Sequence, residues 1–171
     1  NLYLSGGFEN KIWILSFNPK LEKPLAPFNE PDKVFDAPFI DVSAFAENAP
    51  SPNYNDNAAA VYPTGIDLSP DGTSLFVANN LSDSLGVVSD LRDQRKISRI
   101  DLHRANSTQF IYPYDVQIVP ARDGKTIDKI YVSLWGDDSI AVVDGKTVQV
   151  KTHIQVERHP TKMLFNRDKS R

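Results

Sequence analysis

The sequence repeats one long pattern twice and then begins it a third time. Each copy opens on a ring-bearing residue followed by proline, and these prolines are Pro63, Pro113 and Pro160. The first two lie 50 residues apart and the last two lie 47 apart (113 − 63 and 160 − 113). Both full copies consist of short apolar runs separated by turn residues, with no helical periodicity. A period of this length built from strands and turns predicts the blade of a β-propeller.

Alternation and turn chemistry divide each full copy into four strands, which we label a to d in chain order. Asp71-Gly72 and Asp123-Gly124 are predicted as the turns between strands a and b. The strands of the first full copy are predicted at 64–69, 75–78, 85–88 and 97–102, and those of the second at 115–119, 130–134, 140–143 and 148–156. The N-terminal third matches strands b to d at 2–5, 12–15 and 39–42.

The predicted fold is therefore all-β, a β-propeller fragment of about three four-stranded blades. Its predicted parts are an incomplete first blade with long loops (1–61), two blades (62–111 and 112–158) and the first strand of a next blade (159–171). The long loops, 18–38 and 44–60, are rich in Pro, Asn or Ala, which leaves a functional role and disorder both open. The predicted core is Ile66, Leu68, Phe76, Val77, Val87, Val116, Ile118, Tyr131, Val132, Ile140 and Val142.

Composition excludes several classes of function. The net charge is −3, with 19 Lys and Arg residues against 22 Asp and Glu, and the basic residues are scattered, so no nucleic-acid surface is predicted. The chain has no cysteine, which excludes disulfides and thiolate sites. No apolar stretch approaches the ~18 residues of a membrane span. Neither a nucleophile elbow nor a phosphate loop is present.

Two segments carry a family resemblance. SPDGTSLFVANNLSDSLGVV, from Ser69, and YVSLWGDDSIAVVDGKTVQVKTHIQVERHPTKMLF, from Tyr131, resemble the YVTN-type β-propeller repeat. The sequence departs from that repeat in the longer turn at 120–124 and at 162–164, where Lys, Met and Leu replace small residues. The resemblance implies a bacterial extracytoplasmic propeller, periplasmic or secreted, of a kind sometimes fused to an alkaline-phosphatase-like phosphoesterase domain. No phosphatase residues are present in this chain.

In such propellers strand a is innermost, and the d–a and b–c loops emerge on one face of the ring. The resemblance therefore predicts that residues far apart in sequence form one ligand-binding face. The alternative is that the same aromatic and acidic residues only hold the turns in place. The candidate ligand-binding residues are Tyr62, Asn80, Asp83, Tyr112, Trp135, Asp137 and His159.

No metal, cofactor or catalytic set is predicted. Asp137-Asp138 and the run 53–57 are acidic or amide-rich enough for calcium, but neither has the register of an EF-hand. The three histidines lack the spacing of metal ligands, and His103 and His153 are predicted to lie on the surface.

The predicted function is a non-catalytic propeller scaffold or recognition module within a larger secreted or periplasmic protein. The alternatives are a propeller hydrolase of the lactonase type, for which only Arg158 and His159 are suitably placed, or an accessory domain of a phosphoesterase. Segment 161–165 lacks a partner strand and segment 2–5 lacks a strand a. The expected partners are therefore the remainder of the propeller or a second copy of the chain. The resemblance implies a phosphoesterase domain as a further candidate partner.

Overall fold

The computed structural model describes residues 1–17, 19–20, 25–26, 38–46 and 61–166. The strands are β1 (Leu2–Ser5), β2 (Lys11–Phe17), β3 (Leu25–Ala26), β4 (Phe39–Asp41), β5 (Pro63–Leu68), β6 (Leu75–Asn79), β7 (Ser84–Ser89), β8 (Lys96–Asp101), β9 (Pro113–Pro120), β10 (Ile127–Leu134), β11 (Ser139–Asp144) and β12 (Val150–Gln155). Helix within these ranges is limited to 3-10 turns at Gly7–Glu9, Ser43–Ala46 and Asn80–Ser82. None of the helices in the described part is long and apolar enough to cross a membrane.

The strands form three antiparallel sheets. Blade 2 has the order β5-β6-β7-β8, and blade 3 runs β9-β10-β11-β12. In blade 1, β2 pairs with β1 through 12–15 and with β4 through 11–13, and the two-residue β3 pairs with its end. The all-β propeller prediction is confirmed. Much of the two long loops, including the run 53–57, lies outside the described residues.

The a–b turns have the chemistry that their sequence predicts. Gly72 has φ +68° and Gly124 has φ +65°, a left-handed conformation that glycine adopts without a Cβ penalty. Asp71 Oδ1 accepts the Thr73 N–H at 3.0 Å, and Asp123 Oδ1 accepts the Lys125 N–H at 2.8 Å. These bonds fix the reversal between strands and hence the register of each hairpin.

Apolar cores hold neighbouring blades together. The core between blades 1 and 2 includes Ile12 and Leu75, and the core between blades 2 and 3 includes Phe76 and Ile130. The inner strands approach so closely that a Cβ on Gly65 would lie 2.6 Å from the Asp115 Cα. Neighbouring blades therefore bury their apolar faces against each other.

Seven of the eleven predicted core residues are buried and four are only half-buried. Ile66 and Leu68 pack against the core between blades 1 and 2. Tyr131 and Ile140 lie on β10 and β11 outside the core between blades 2 and 3. No fourth sheet is described there, so these two side chains keep part of their surface exposed.

Residues 160–166 lie along blade 3 without strand pairing among the described residues. The Met163 N–H donates to Asp115 Oδ2 at 2.9 Å, much as the Ile118 N–H of β9 donates to Asp67 Oδ2 of β5 at 2.8 Å. The Phe165 ring lies 5.3 Å from that of Tyr131. The segment thus contacts blade 3 in the manner in which β9 contacts blade 2.

Candidate functional site

The d–a connections and the b–c turns lie side by side at one edge of the blades. The Asn80 N–H donates to the Tyr62 carbonyl at 3.2 Å, and the Trp135 N–H donates to the Tyr112 carbonyl at 3.1 Å. These bonds join the turn between strands b and c to the residue before the inner strand of the same blade. Residues that are distant in sequence therefore share one surface, which we call the loop face.

One side chain at the end of each b–c turn then binds the next blade. Asn10 Oδ1 accepts the Tyr62 N–H at 3.2 Å, and Asp138 Oδ1 accepts the His159 N–H at 3.0 Å. Asp83 Oδ1 accepts the N–H of Tyr112 at 2.9 Å and that of Ile111 at 3.1 Å. We call these the junction hydrogen bonds.

The junction hydrogen bonds fix an uncommon backbone conformation. Tyr62, Tyr112 and His159 have φ of +50°, +47° and +56°, a left-handed region that costs non-glycine residues about 1–3 kcal/mol. Because all three copies share this conformation, it belongs to the connection between blades. Its effect on the site is to direct each aromatic or imidazole ring onto the loop face.

Asp83 is buried, and its second oxygen faces a histidine. Its relative exposure is 1%, and Oδ2 has no hydrogen-bond partner among the described residues but lies 3.8 Å from His103 Nε2. His103 Nδ1 lies 2.5 Å from Asp101 Oδ1. Burial raises the pKa of Asp83 above its ordinary value, although the N–H groups of Tyr112 and Ile111 act against this. The prediction that His103 is a surface residue is wrong, because its side chain is 11% exposed between two carboxylates.

The Asp137 carboxylate is held by an ion pair and a hydrogen bond to neighbouring side chains. Its Oδ2 pairs with Arg104 Nη2 at 3.0 Å and accepts the Ser139 hydroxyl. Burial acts to raise the pKa of Asp137, but the hydrogen bonds from Ser139 and Arg104 outweigh it and the pKa lies below its ordinary value. Among the described residues, no group of three or more His, Cys, Asp or Glu side chains could hold a metal ion.

A pocket of about 370 Å³ opens on the loop face between blades 2 and 3. Its lining consists of Asn80, Leu81, Tyr112, Tyr114 and Trp135. Asn80 Nδ2 donates to the Pro113 carbonyl at 3.1 Å, so the amide is held across the junction. Tyr114 and Trp135 are 39% and 38% exposed. Concave sites lined by aromatic rings with a few oriented polar groups are typical of small-molecule binding.

His159 lies beside this pocket. Its ring stacks on Trp135 with centroids 4.0 Å apart, and Trp135 in turn meets Tyr112 edge-on at 5.9 Å. His159 Nδ1 lies 3.0 Å from the Trp135 carbonyl oxygen. A carbonyl only accepts, so Nδ1 carries a proton, and in the neutral ring Nε2 is then the unprotonated nitrogen.

The structure thus brings four of the seven candidate residues together: Asn80, Tyr112, Trp135 and His159. Tyr62 packs edge-on against Phe8 at 4.6 Å, at the junction between blades 1 and 2. Sequence reasoning missed Tyr114, although its position two residues after Tyr112, at the start of a strand, predicts that the two rings share a face.

No protein-family model matches this chain, and no curated protein matches it. Among solved structures, it is similar to a Bacteroides uniformis protein described as a 6-phosphogluconolactonase (13% identity, TM-score 0.59, 90% of this chain and 39% of that chain). It is also similar to the periplasmic gluconolactonase of Pseudomonas aeruginosa (17%, 0.55, 94% and 38%) and to a streptogramin B lyase (16%, 0.50, 95% and 43%). At such identities the likeness shows the propeller fold alone. The chain spans about two fifths of the length of these three structures.

Proposed function

We propose that this chain is part of a propeller hydrolase that opens a lactone on the loop face, with His159 as the general base. The observation that carries the proposal is the Nδ1 hydrogen bond of His159 to the Trp135 carbonyl, which leaves Nε2 able to accept a proton beside the aromatic pocket. The ring is about half-exposed, so water reaches it.

The reaction needs only the lactone and water. His159 Nε2 takes a proton from water as the water oxygen bonds to the lactone carbonyl carbon. The bond between that carbon and the ring oxygen then breaks, and His159 returns the proton to the departing oxygen. The product is the open hydroxy acid. A positioned general base contributes about 10²–10⁴-fold to such a rate.

The names of the similar structures support the proposal. Two of the three are named as lactonases of sugar acids, and one of those is named as periplasmic. We extend both properties to this protein as proposals, together with its assignment to the YVTN-type repeat. A role as an accessory domain of a phosphoesterase remains a proposal that rests on the sequence resemblance.

The experiment measures hydrolysis of gluconolactone by the protein. The rate is monitored as the release of acid. His159→Gln is expected to lower kcat about 100-fold or more, with little change in KM, because Gln keeps a donor for the Trp135 carbonyl but is not a base. His153→Gln is the matched control, because His153 Nε2 also binds a backbone carbonyl, that of Leu102, but on β12 outside the pocket. An equal loss in both variants, or no hydrolysis by the wild type, would end the proposal.

A non-catalytic recognition module is the second candidate function. It is favoured by the pocket lining itself, whose described residues supply rings, an amide and a leucine but no carboxylate or imidazole. Ligand binding by a protein that never turns over lactone would support this function over the hydrolase.

The partner that we propose is a further blade, either from the remainder of the propeller or from a second copy of the chain. Leu2 and Leu4 are 42% and 39% exposed, whereas Leu75 and Val77, at the same positions of blade 2, are 1% and 0% exposed because blade 1 covers them. An apolar sheet face of this kind is a docking surface for a neighbouring blade. Light scattering tests the second-copy source: a monodisperse monomer near 19 kDa for this chain would exclude it.

A further inference from the structure

We infer that the pocket on the loop face binds an uncharged sugar ring, so that the substrate of the proposed hydrolase is the lactone of an unphosphorylated sugar acid. The choice of reaction rests on the proposed function, whereas the binding preference rests on the pocket alone. The inference follows from the rings, the polar groups and the absence of charged side chains among the described lining residues.

The rings suit the apolar face of a sugar. Trp135 and Tyr112 meet at an interplanar angle of 74°, and Trp135 and Tyr114 each expose more than a third of their surface. An aromatic face carries negative charge density, which attracts the weakly positive C–H groups on one side of a sugar ring. The volume of about 370 Å³ is near the lower end of the ~300–1,000 Å³ range of ligand pockets, which favours one ring over an oligosaccharide.

The polar groups suit hydroxyls. The Asn80 bond from Nδ2 to the Pro113 carbonyl identifies the nitrogen end of the amide, so Oδ1 is the acceptor. The hydroxyls of Tyr112 and Tyr114 both donate and accept. These are the partners that a sugar hydroxyl requires, since it also donates and accepts.

The lining disfavours a phosphate. None of the five lining residues is cationic. Arg104, in the segment that leads to β9, is paired with Asp137 at 3.0 Å, and Lys162 is paired with Asp115 at 3.3 Å. Arg158 is exposed and precedes His159, but it does not line the pocket. A phosphate that loses water there without a cation would bind weakly, because burying an unpaired charge is costly.

The test uses the fluorescence of Trp135, which can be isolated because the chain has two tryptophans and Trp13→Phe removes the other. Trp13 packs on Phe39 in blade 1, away from the pocket. The probes are the stable lactam analogue of gluconolactone and its 6-phosphate. The lactam is expected to change the Trp135 emission saturably, and the 6-phosphate to bind about tenfold or more weakly.

Two variants separate the pocket from the fold. Tyr114→Ala is expected to weaken lactam binding about tenfold and Tyr114→Phe much less, since Phe keeps the ring. Binding of the 6-phosphate that is as tight as that of the lactam, or tighter, would overturn the inference. If the Arg158→Gln variant then no longer bound the 6-phosphate, Arg158 would be the residue that binds the phosphate. Lactam binding that is unaffected by Tyr114→Ala would also overturn it. Lactam binding without lactone turnover would leave the inference standing and end the hydrolase proposal.

Discussion

The junction between blades 1 and 2 and the junction between blades 2 and 3 are closed by equivalent hydrogen bonds, which backbone N–H groups donate to a different side chain in each case. Asn10 Oδ1 accepts from Val61 at 2.9 Å, in addition to its bond from Tyr62. Asp83 Oδ1 accepts from the equivalent pair of N–H groups in the next blade. Both residues have left-handed backbone, with φ of +52° and +48°. The junction therefore requires an acceptor oxygen in this place and does not require a charge.

Unlike Asn10, Asp83 can carry a buried negative charge, and the groups around its carboxyl determine what that charge costs. Its Oδ2 faces His103, which lies between Asp83 and Asp101. Arg99 acts on both carboxylates from the neighbouring strand β8, and Arg104, Lys151 and His153 line the groove beside His103. His103 Nδ1 is hydrogen-bonded to Asp101, and a positive charge on the ring acts across 3.8 Å to lower the pKa of Asp83, which partly offsets the effect of burial. The junction between blades 2 and 3 is thus coupled to ionisation, whereas the amide of Asn10 carries no charge to couple.

The largest effect is expected for Asp83→Ala. It leaves the N–H groups of Ile111 and Tyr112 without their acceptor, at about 1–3 kcal/mol for each buried donor. The free energy of unfolding should fall by about 2–6 kcal/mol in urea denaturation, and lactam binding should weaken because Tyr112 lines the pocket. Asn10→Ala should cost a similar amount of stability but leave lactam binding unchanged. Equal loss of binding in both variants would contradict the local role of Asp83.

A smaller effect is expected for Asn10→Asp, which places a charge at the junction that has none. Asn10 is 9% exposed, so an ionised carboxylate there loses most of its water. The free energy of unfolding should fall by about 1–3 kcal/mol at pH 7. Burial would raise the pKa of the new carboxyl, so the lost stability should return as the pH falls towards about 4. A loss of stability that does not depend on pH would mean that shape, and not charge, distinguishes the two junctions.

The sequence predicts the sheets well and the junctions poorly, for physical reasons. Alternation and Asp-Gly turns are local, so the strand starts at Leu75 and Ile127 lie within three residues of those predicted. Asp83 looks like a local turn residue in the sequence, yet its hydrogen bonds reach 28 and 29 residues along the chain. His103 looks like a surface residue at the end of a strand, because its place beside Asp83 depends on the pairing of β8 with β7, in which Asp101 lies opposite Ser84. The grouping of Asn80, Tyr112 and Trp135 was predictable, since it follows from the repeat itself.

The smallest effect is expected for Asp83→Asn. This variant gives the junction between blades 2 and 3 the same side chain, an asparagine, that closes the junction between blades 1 and 2. The amide oxygen keeps both junction hydrogen bonds, as Asn10 does, and the cost of burying a charge disappears. Because the pKa of Asp83 is raised in the folded protein, its contribution to stability is present below about pH 4 and is lost as the pH rises through the folded value. The variant should therefore equal the wild type at low pH and exceed it by up to about 1 kcal/mol near neutral pH. His103→Gln removes a group that lowers the pKa of Asp83, so it should raise that pKa further and widen the loss of stability with rising pH, with no such effect in the Asp83→Asn background. Urea denaturation from pH 4 to pH 8 measures the free energy of unfolding of the wild type, Asp83→Asn, His103→Gln and the double variant. Parallel pH profiles for Asp83→Asn and the wild type would show that the ionisation of Asp83 does not affect stability.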